Sequence, residues 1–229
     1  MLRELIDALR GKDPLSQMLN EFTEMIEDSE WMFKTACDVL LRKKDADSVA
    51  TDLYNRDKEI NGKERSIRRR IVEHLSLRPG QDVPSCLVLM SVVKDAERVG
   101  DMCKNIFDVA RMYTRKFDHG RYMTPLQEIR LDVESMFSKA RQAFRESDEA
   151  IARSIVVKNR VLAEKCDMLI EQLIRDNLPT DKAVAYTLLS RHFKRIAAHL
   201  TNIATAVVVP VDKIDFTDEV LEPKGGSGI

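Results

Sequence analysis

Hydrophobic positions along the chain recur at the three-, four- and seven-residue spacing of an α-helix buried on one face. Leu53, Ile60, Ile67 and Ile71 fall seven, seven and four apart, and Ile151, Ile155, Leu162, Cys166, Leu169 and Leu173 keep the same rhythm. Both are core stripes of coiled-coil type. The breaks between such stretches are short and polar. Lys43-Lys44-Asp45-Ala46-Asp47 separates a helix over about 15–41 from one over about 48–77. Arg78-Pro79-Gly80 ends the second, and Pro84 suits the first turn of a third that reaches about Tyr113. Thr124-Pro125 opens a fourth helix to about Glu146, and Ser147-Asp148 caps a fifth to about Asn177. Leu178-Pro179-Thr180-Asp181 breaks that one, and a sixth ends at Pro210.

Helices of this length extend about 40 Å, and three joined by short breaks must return antiparallel into a bundle. The pattern therefore predicts an all-α fold of two tandem three-helix bundles, six long antiparallel helices in all. A short amphipathic N-terminal helix precedes them, terminated by Gly11 and Pro14. The expected boundaries are 1–13 for the short helix, 14–115 for repeat one, 122–210 for repeat two and 211–229 for a loose tail.

Composition supports helices: charged residues make up 33% and hydrophobic residues 44%, with only eight glycines and seven prolines to serve the turns that strands require. The net charge of -1 gives no overall pull toward nucleic acid or an anionic membrane. Arg68-Arg69-Arg70 reads as a solvated helix face. Cys37, Cys86, Cys103 and Cys166 contain no CxxC pair and sit among apolar residues, so buried thiols in a reducing compartment are expected. Met1 to Ile6 is followed at once by Asp7, which is no signal peptide, and no apolar run reaches the ~18 residues of a membrane span. A cytoplasmic location follows as the expectation, without direct insertion into a membrane.

The third and sixth helices carry the same text. Glu97-Arg-Val-Gly-Asp-Met-Cys-Lys-Asn-Ile106 aligns with Lys194-Arg-Ile-Ala-Ala-His-Leu-Thr-Asn-Ile203 at a constant offset of 97. Arg98 pairs with Arg195, Val99 with Ile196, Asn105 with Asn202 and Ile106 with Ile203. Each segment follows two helices of similar length, so the whole three-helix unit is repeated.

Asp95-Ala-Glu97-Arg98-Val99-Gly100-Asp101, with Asn105-Ile106 beyond, resembles the D-x-E-R-I-G-D-x-x-x-N-I motif of the PhoU family. Arg195-Ile196 with His199 to Ala204 matches a second copy in part, and Asp57-Lys-Glu-Ile-Asn61 is similar to the family's second-helix signature. The resemblance covers about 15–210. It implies two three-helix bundles side by side and negative control of phosphate uptake. The implied partners are the ATPase subunit of a phosphate ABC transporter and a sensor histidine kinase, and a homodimer is a compatible assembly.

Glu97 and Asp101 are four apart on one helix face. Asp57 and Glu64 fall in register with the core stripe of the second helix. If the second and third helices pack antiparallel, up to four carboxylates converge, and they must bind a cation, meet arginines or stay hydrated. Arg98, Arg65 and Lys94 offer the plainer pairing on a wet surface. Oxygen-only ligands favour Mg²⁺, Mn²⁺, Ca²⁺ or ferric iron. The resemblance adds iron or zinc, so Glu97, Asp101, Asp95, Asp57 and Glu64 are the candidate metal ligands of repeat one. Repeat two has Lys194, Ala198 and His192 at the positions of Glu97, Asp101 and Asp95, so no metal is expected there. His192 and His199 read as surface or capping residues.

No phosphate loop, GxSxG, HExxH, activated cysteine or inward ExxH pair is present, which disfavours an enzyme. Balanced charge on long helices likewise disfavours nucleic acid as a partner. The alternative to a phosphate-uptake regulator is a metal-binding helical adaptor with no tie to phosphate transport.

Overall fold

The computed structural model describes residues 14–115, 117, 120–206 and 208–214. The expected short helix over 1–13 and the tail from 215 lie outside these. Six helices account for the rest: α1 Pro14–Leu40, α2 Ala46–Leu77, α3 Val83–Met112, α4 Met123–Glu146, α5 Glu149–Arg175 and α6 Thr180–Thr205. No strand occurs among the described residues.

Local chemistry sets the ends. α2 starts before Ser48 because Asp45 is its cap, its carboxylate accepting from the Ser48 N–H at 3.0 Å. Ser147 and Asp148 divide their work. Ser147 closes α4 in the left-handed region (φ 52°), and Asp148 accepts from the Ile151 N–H at 2.9 Å to open α5. α6 stops at Thr205, short of the expected Pro210. There the amides of Val208 and Val209 turn back onto the Thr205 carbonyl, at 2.9 and 3.0 Å. Val211–Lys213 then forms a short 3-10 turn against α3, with Ile214 buried.

Within each repeat every helix touches the other two, and across the divide α3 lies along α6 while α1 meets α4. The sequence shows why α1 and α3 are inside. On α1 the exposed residues, Gln17, Asn20, Glu24, Glu27 and Lys34, form a narrow stripe, and most of the other side chains are buried. α2 buries only one stripe, Leu53, Ile60, Ile67 and Ile71 among it, and stays outside. Gly100 permits the close approach of α3 to α2, since a Cβ there would lie 3.0 Å from Ile60 Cδ1.

Aromatic side chains join the repeats. Phe33 of α1 meets Phe137 of α4 with ring centroids 5.4 Å apart and Phe193 of α6 at 5.6 Å, and Phe22 meets Phe144 at 4.7 Å. Corresponding ion pairs also tie the first helix of each repeat to its second. Asp28 receives Arg56 and Lys63, the latter at 3.0 Å. Asp132 receives Lys158 at 3.1 Å and Lys165 at 3.2 Å, cations again seven residues apart. Burial alone would raise the Asp132 carboxyl, but hydrogen bonds from Lys158 and Lys165 outweigh it and hold it below its ordinary value.

All four cysteines are free and buried. Burial pushes the Cys86 and Cys166 thiols up to about 11 and raises Cys37 and Cys103 further, which leaves them poor nucleophiles.

Because Phe33 contacts both halves, Phe33→Ala is expected to cost about 3–5 kcal/mol. Val161→Ala, at a side chain 48% exposed, should stay within about 0.5 kcal/mol. Urea denaturation of the two variants measures the difference.

Candidate functional site

α2 and α3 bring Asp57, Glu64, Glu97 and Asp101 to one patch, as an antiparallel pair of helices requires. What fills the patch is a side chain. The Lys104 ammonium donates to both Asp57 oxygens, at 3.1 and 3.0 Å, and to Asp101 Oδ1 at 2.8 Å. Burial would lower the Lys104 ammonium, but its hydrogen bonds to Asp101 and Asp57 raise it, so it stays charged. Glu64 lies 3.3 Å from Arg68. Glu97 is the least compensated member. Burial raises its carboxyl, and Asp101 and Glu64 raise it further against the weaker pull of Arg98.

The expected iron, zinc, manganese or magnesium ion of repeat one is corrected by this geometry. No group of three or more His, Cys, Asp or Glu side chains able to hold a metal occurs among the described residues. Two physical reasons account for it. Lys104 occupies the space between Asp57 and Asp101 as the patch's own cation. Asp95, two residues before Glu97, sits about 200° around the helix from it and faces α6 instead. The signal for Lys104 was present, since it stands three residues after Asp101 on the same face.

In repeat two the carboxylates are gone. Lys194 pairs with Asp167 at 2.7 and 2.6 Å, and Thr201, in the place of Lys104, turns its hydroxyl back to the Ala197 carbonyl at 2.7 Å.

The seam between α3 and α6 holds the polar contacts that sequence reasoning missed. His199 Nδ1 lies 2.7 Å from Asp95 Oδ1, and Asn202 Nδ2 donates to the same oxygen at 3.2 Å. His192 Nδ1 lies 3.4 Å from Met102 Sδ. By the offset of the repeat, Asp95 corresponds to His192 and Met102 to His199. The two contacts are therefore the same contact seen from either end of a pseudo-twofold axis, with α3 and α6 antiparallel across it. Neither histidine is a surface or capping residue. Burial, then Arg195 and Arg191, lower the His192 ring and favour its neutral form beside the thioether.

The arginine run likewise divides rather than forming one solvated face. Arg70 reaches Glu21 at 2.5 Å and Gln17 at 3.0 Å, Arg69 is exposed, and Arg68 turns toward the seam, half-buried.

Glu97 provides a test of the acidic patch. Its folded value lies above the ordinary 4.5, so the folded protein holds that proton more tightly than the unfolded chain does. The cost of ionising it is absent below about pH 4.5 and grows as the pH rises through the folded value. Glu97→Gln should stabilise the protein at pH 7 by less than about 1 kcal/mol, with the gain shrinking toward pH 4.5. Urea midpoints of both proteins at the two pH values check this, and a gain equal at both would refute it.

The model of the PhoU domain family matches residues 22–110 and 126–207, one copy on each repeat. The phosphate-specific transport system accessory protein PhoU homolog of Pseudomonas aeruginosa is 25% identical over 178 residues, covering 75% of this chain and 74% of its own. The protein of the same description from Synechocystis sp. is 26% identical over 156 residues, covering 66% and 69%. Among solved structures, PhoU from Pseudomonas aeruginosa superposes with a TM-score of 0.77 at 22% identity, covering 85% of this chain and 95% of its own. The phosphate transport system regulatory protein PhoU from Streptococcus pneumoniae gives 0.71 at 21%, covering 91% and 98%. With both repeats matched over most of their length, the chain belongs to the PhoU family and to its non-catalytic regulatory role in phosphate signalling.

Proposed function

We propose that the protein restrains phosphate uptake when phosphate is plentiful, by contact with the ATPase subunit of a phosphate ABC transporter and with a sensor histidine kinase. The observation that carries this reading is the family match on both repeats, since one repeat alone would leave α1 and α3 without the partner they bury against. The relatives it resembles, accessory proteins of phosphate-specific transport, point the same way. No helix among the described residues is long and apolar enough to cross a membrane. The proposed contacts are with parts of those partners that face the cytoplasm, and the proposed units are residues 14–115 and 122–210. Self-association into a homodimer is compatible with this reading.

Deleting the gene should raise the rate of phosphate uptake several-fold in phosphate-rich medium, and a plasmid copy should restore the low rate. Uptake of labelled phosphate measures it. An unchanged rate would overturn the proposal and favour a helical adaptor with no tie to phosphate transport.

A further inference from the structure

The α3–α6 seam opens on one side into a cleft of about 620 Å³, within the roughly 300–1,000 Å³ usual for small-ligand sites. Arg68 of α2, Lys94 and Arg98 of α3 and Arg195 of α6 line it, together with Asp95 and the two side chains bonded to it. Arg98 and Arg195 occupy equivalent positions of the two repeats, so the pseudo-twofold axis itself brings two guanidinium groups together. In a chain of net charge -1, four cations against the one carboxylate in the lining, Asp95, give this concave surface a positive local field.

Intramolecular pairing leaves much of that charge uncompensated. Arg68 lies 3.3 Å from Glu64 and Arg98 lies 3.6 Å from Glu97. Lys94 and Arg195 make no ion pair among the described residues, and the buried Nε of Arg68 has no acceptor there. Two unpaired cations and an unused guanidinium donor suit an anion of about two charges.

Asp95 narrows the class of anion. Its Oδ1 takes both His199 and Asn202, while its Oδ2 takes no hydrogen bond among the described residues. A carboxylate oxygen repels a fully ionised oxyanion such as sulfate. It accepts a hydrogen bond from an oxyanion that still carries a proton. Donors in excess with one open acceptor therefore fit a phosphate-type anion that retains an O–H near neutral pH, as hydrogen phosphate does and as a phosphomonoester does in part, its second pKa lying at about 6. A monocarboxylate lacks both the second charge and the proton, and a dicarboxylate lacks the proton.

We propose that this cleft binds a phosphate-bearing anion, either free hydrogen phosphate or the phosphoryl group of a small phosphorylated molecule. The site belongs to the seam and not to either repeat alone, because its cations come from α2, α3 and α6. It adjoins the acidic patch without sharing its carboxylates, with Arg68 and Arg98 between the two, 3.3 Å from Glu64 and 3.6 Å from Glu97.

Isothermal titration calorimetry of the full chain at fixed ionic strength tests it, with inorganic phosphate, pyrophosphate and sulfate as probes. Saturable binding of phosphate or pyrophosphate, with sulfate at least about ten-fold weaker, is the expected result. Lys94→Ala and Arg195→Ala should each weaken binding roughly ten-fold. Asp95→Asn should narrow the preference over sulfate. Arg191→Ala, the counterpart of Lys94 at the other end of the seam, should change nothing. Binding of inorganic phosphate assigns the site to the free ion, and binding of pyrophosphate alone assigns it to a phosphorylated ligand. The absence of saturable binding by both, binding indifferent to Lys94 and Arg195, or sulfate bound equally well would each overturn the assignment. Because Lys94 and Arg195 are exposed, circular dichroism is expected to match the parent protein and so separate lost binding from lost folding. A regulator that works without this ligand fails the calorimetric test and still passes the genetic one.

Discussion

Each repeat carries more apolar surface than three helices can bury among themselves, and the structure depends on that surplus. A helix in a three-helix bundle needs one apolar stripe, which is what α2 and α5 have. α1 and α3 have more, and so does α6, where Ala185, Ala197 and Ala204 are buried beside the stripe of Tyr186, Leu189, Phe193, Ile196, Leu200 and Ile203. The second repeat is the other wall of the first. Phe33 demonstrates it most directly, since its ring rests on Phe137 and Phe193 and on no aromatic ring of its own repeat. Single-repeat stability would require water against these faces, at about 25 cal/mol for every Å² of apolar surface exposed.

Two like surfaces that close on each other meet about a twofold axis, so every contact across it occurs twice in equivalent form. Where the pressure is for packing, both copies keep the same solution. Asp28 with Arg56 and Lys63 is reproduced by Asp132 with Lys158 and Lys165, although these partly exposed pairs contribute little energy individually. They fix the rotation of the outer helix about the inner one. At several positions that face the seam or the α2–α3 patch the copies differ, Lys104 against Thr201, Glu97 against Lys194, Asp95 against His192 and Met102 against His199, while Arg98 and Arg195 stay alike.

Much of this was legible in the sequence because helical periodicity reports on burial directly. The stripe from Leu53 to Ile71 and the shared Arg and Asn of the two motifs gave the helix count, the repeat and the family. The convergence of Asp57, Glu64, Glu97 and Asp101 was legible for the same reason. What filled the patch was not read, because carboxylate spacing says nothing of which cation arrives, and a lysine one turn along arrives before any metal. The seam was hidden for a different reason. Asp95 and His199 are more than a hundred residues apart, and periodicity within one helix cannot show which face meets which partner. Only the offset of the repeat relates Asp95 to His192 and Met102 to His199, and it has meaning once α3 is known to run antiparallel to α6. Helix ends followed local chemistry that was partly misassigned: Asp45 took the capping role and Ser147 belonged to the helix before it.

α3 thus carries both signs of charge side by side. Glu97 and Asp101 join Asp57 and Glu64 of α2 in the acidic patch, while Lys94 and Arg98 line the cleft between α2 and α6, beside the Asp95 that meets α6. Periodicity sets Lys94 and Asp101, seven residues apart, within about 20° of each other, so the two signs are separated by about 10 Å along the helix rather than around it. The twofold frame then decides where the cationic side is strongest. Arg98 and Arg195 sit nearest the axis and are drawn together by the fold itself. Asp95 with His199 makes one end of the seam polar, while His192 against Met102 makes the other end soft and neutral. Had both repeats kept an aspartate at this position, the seam would have two acidic ends and correspondingly less positive charge near the axis. Loss of the second aspartate therefore reaches beyond the chemistry of repeat two, because it leaves the charge of the whole seam on one side.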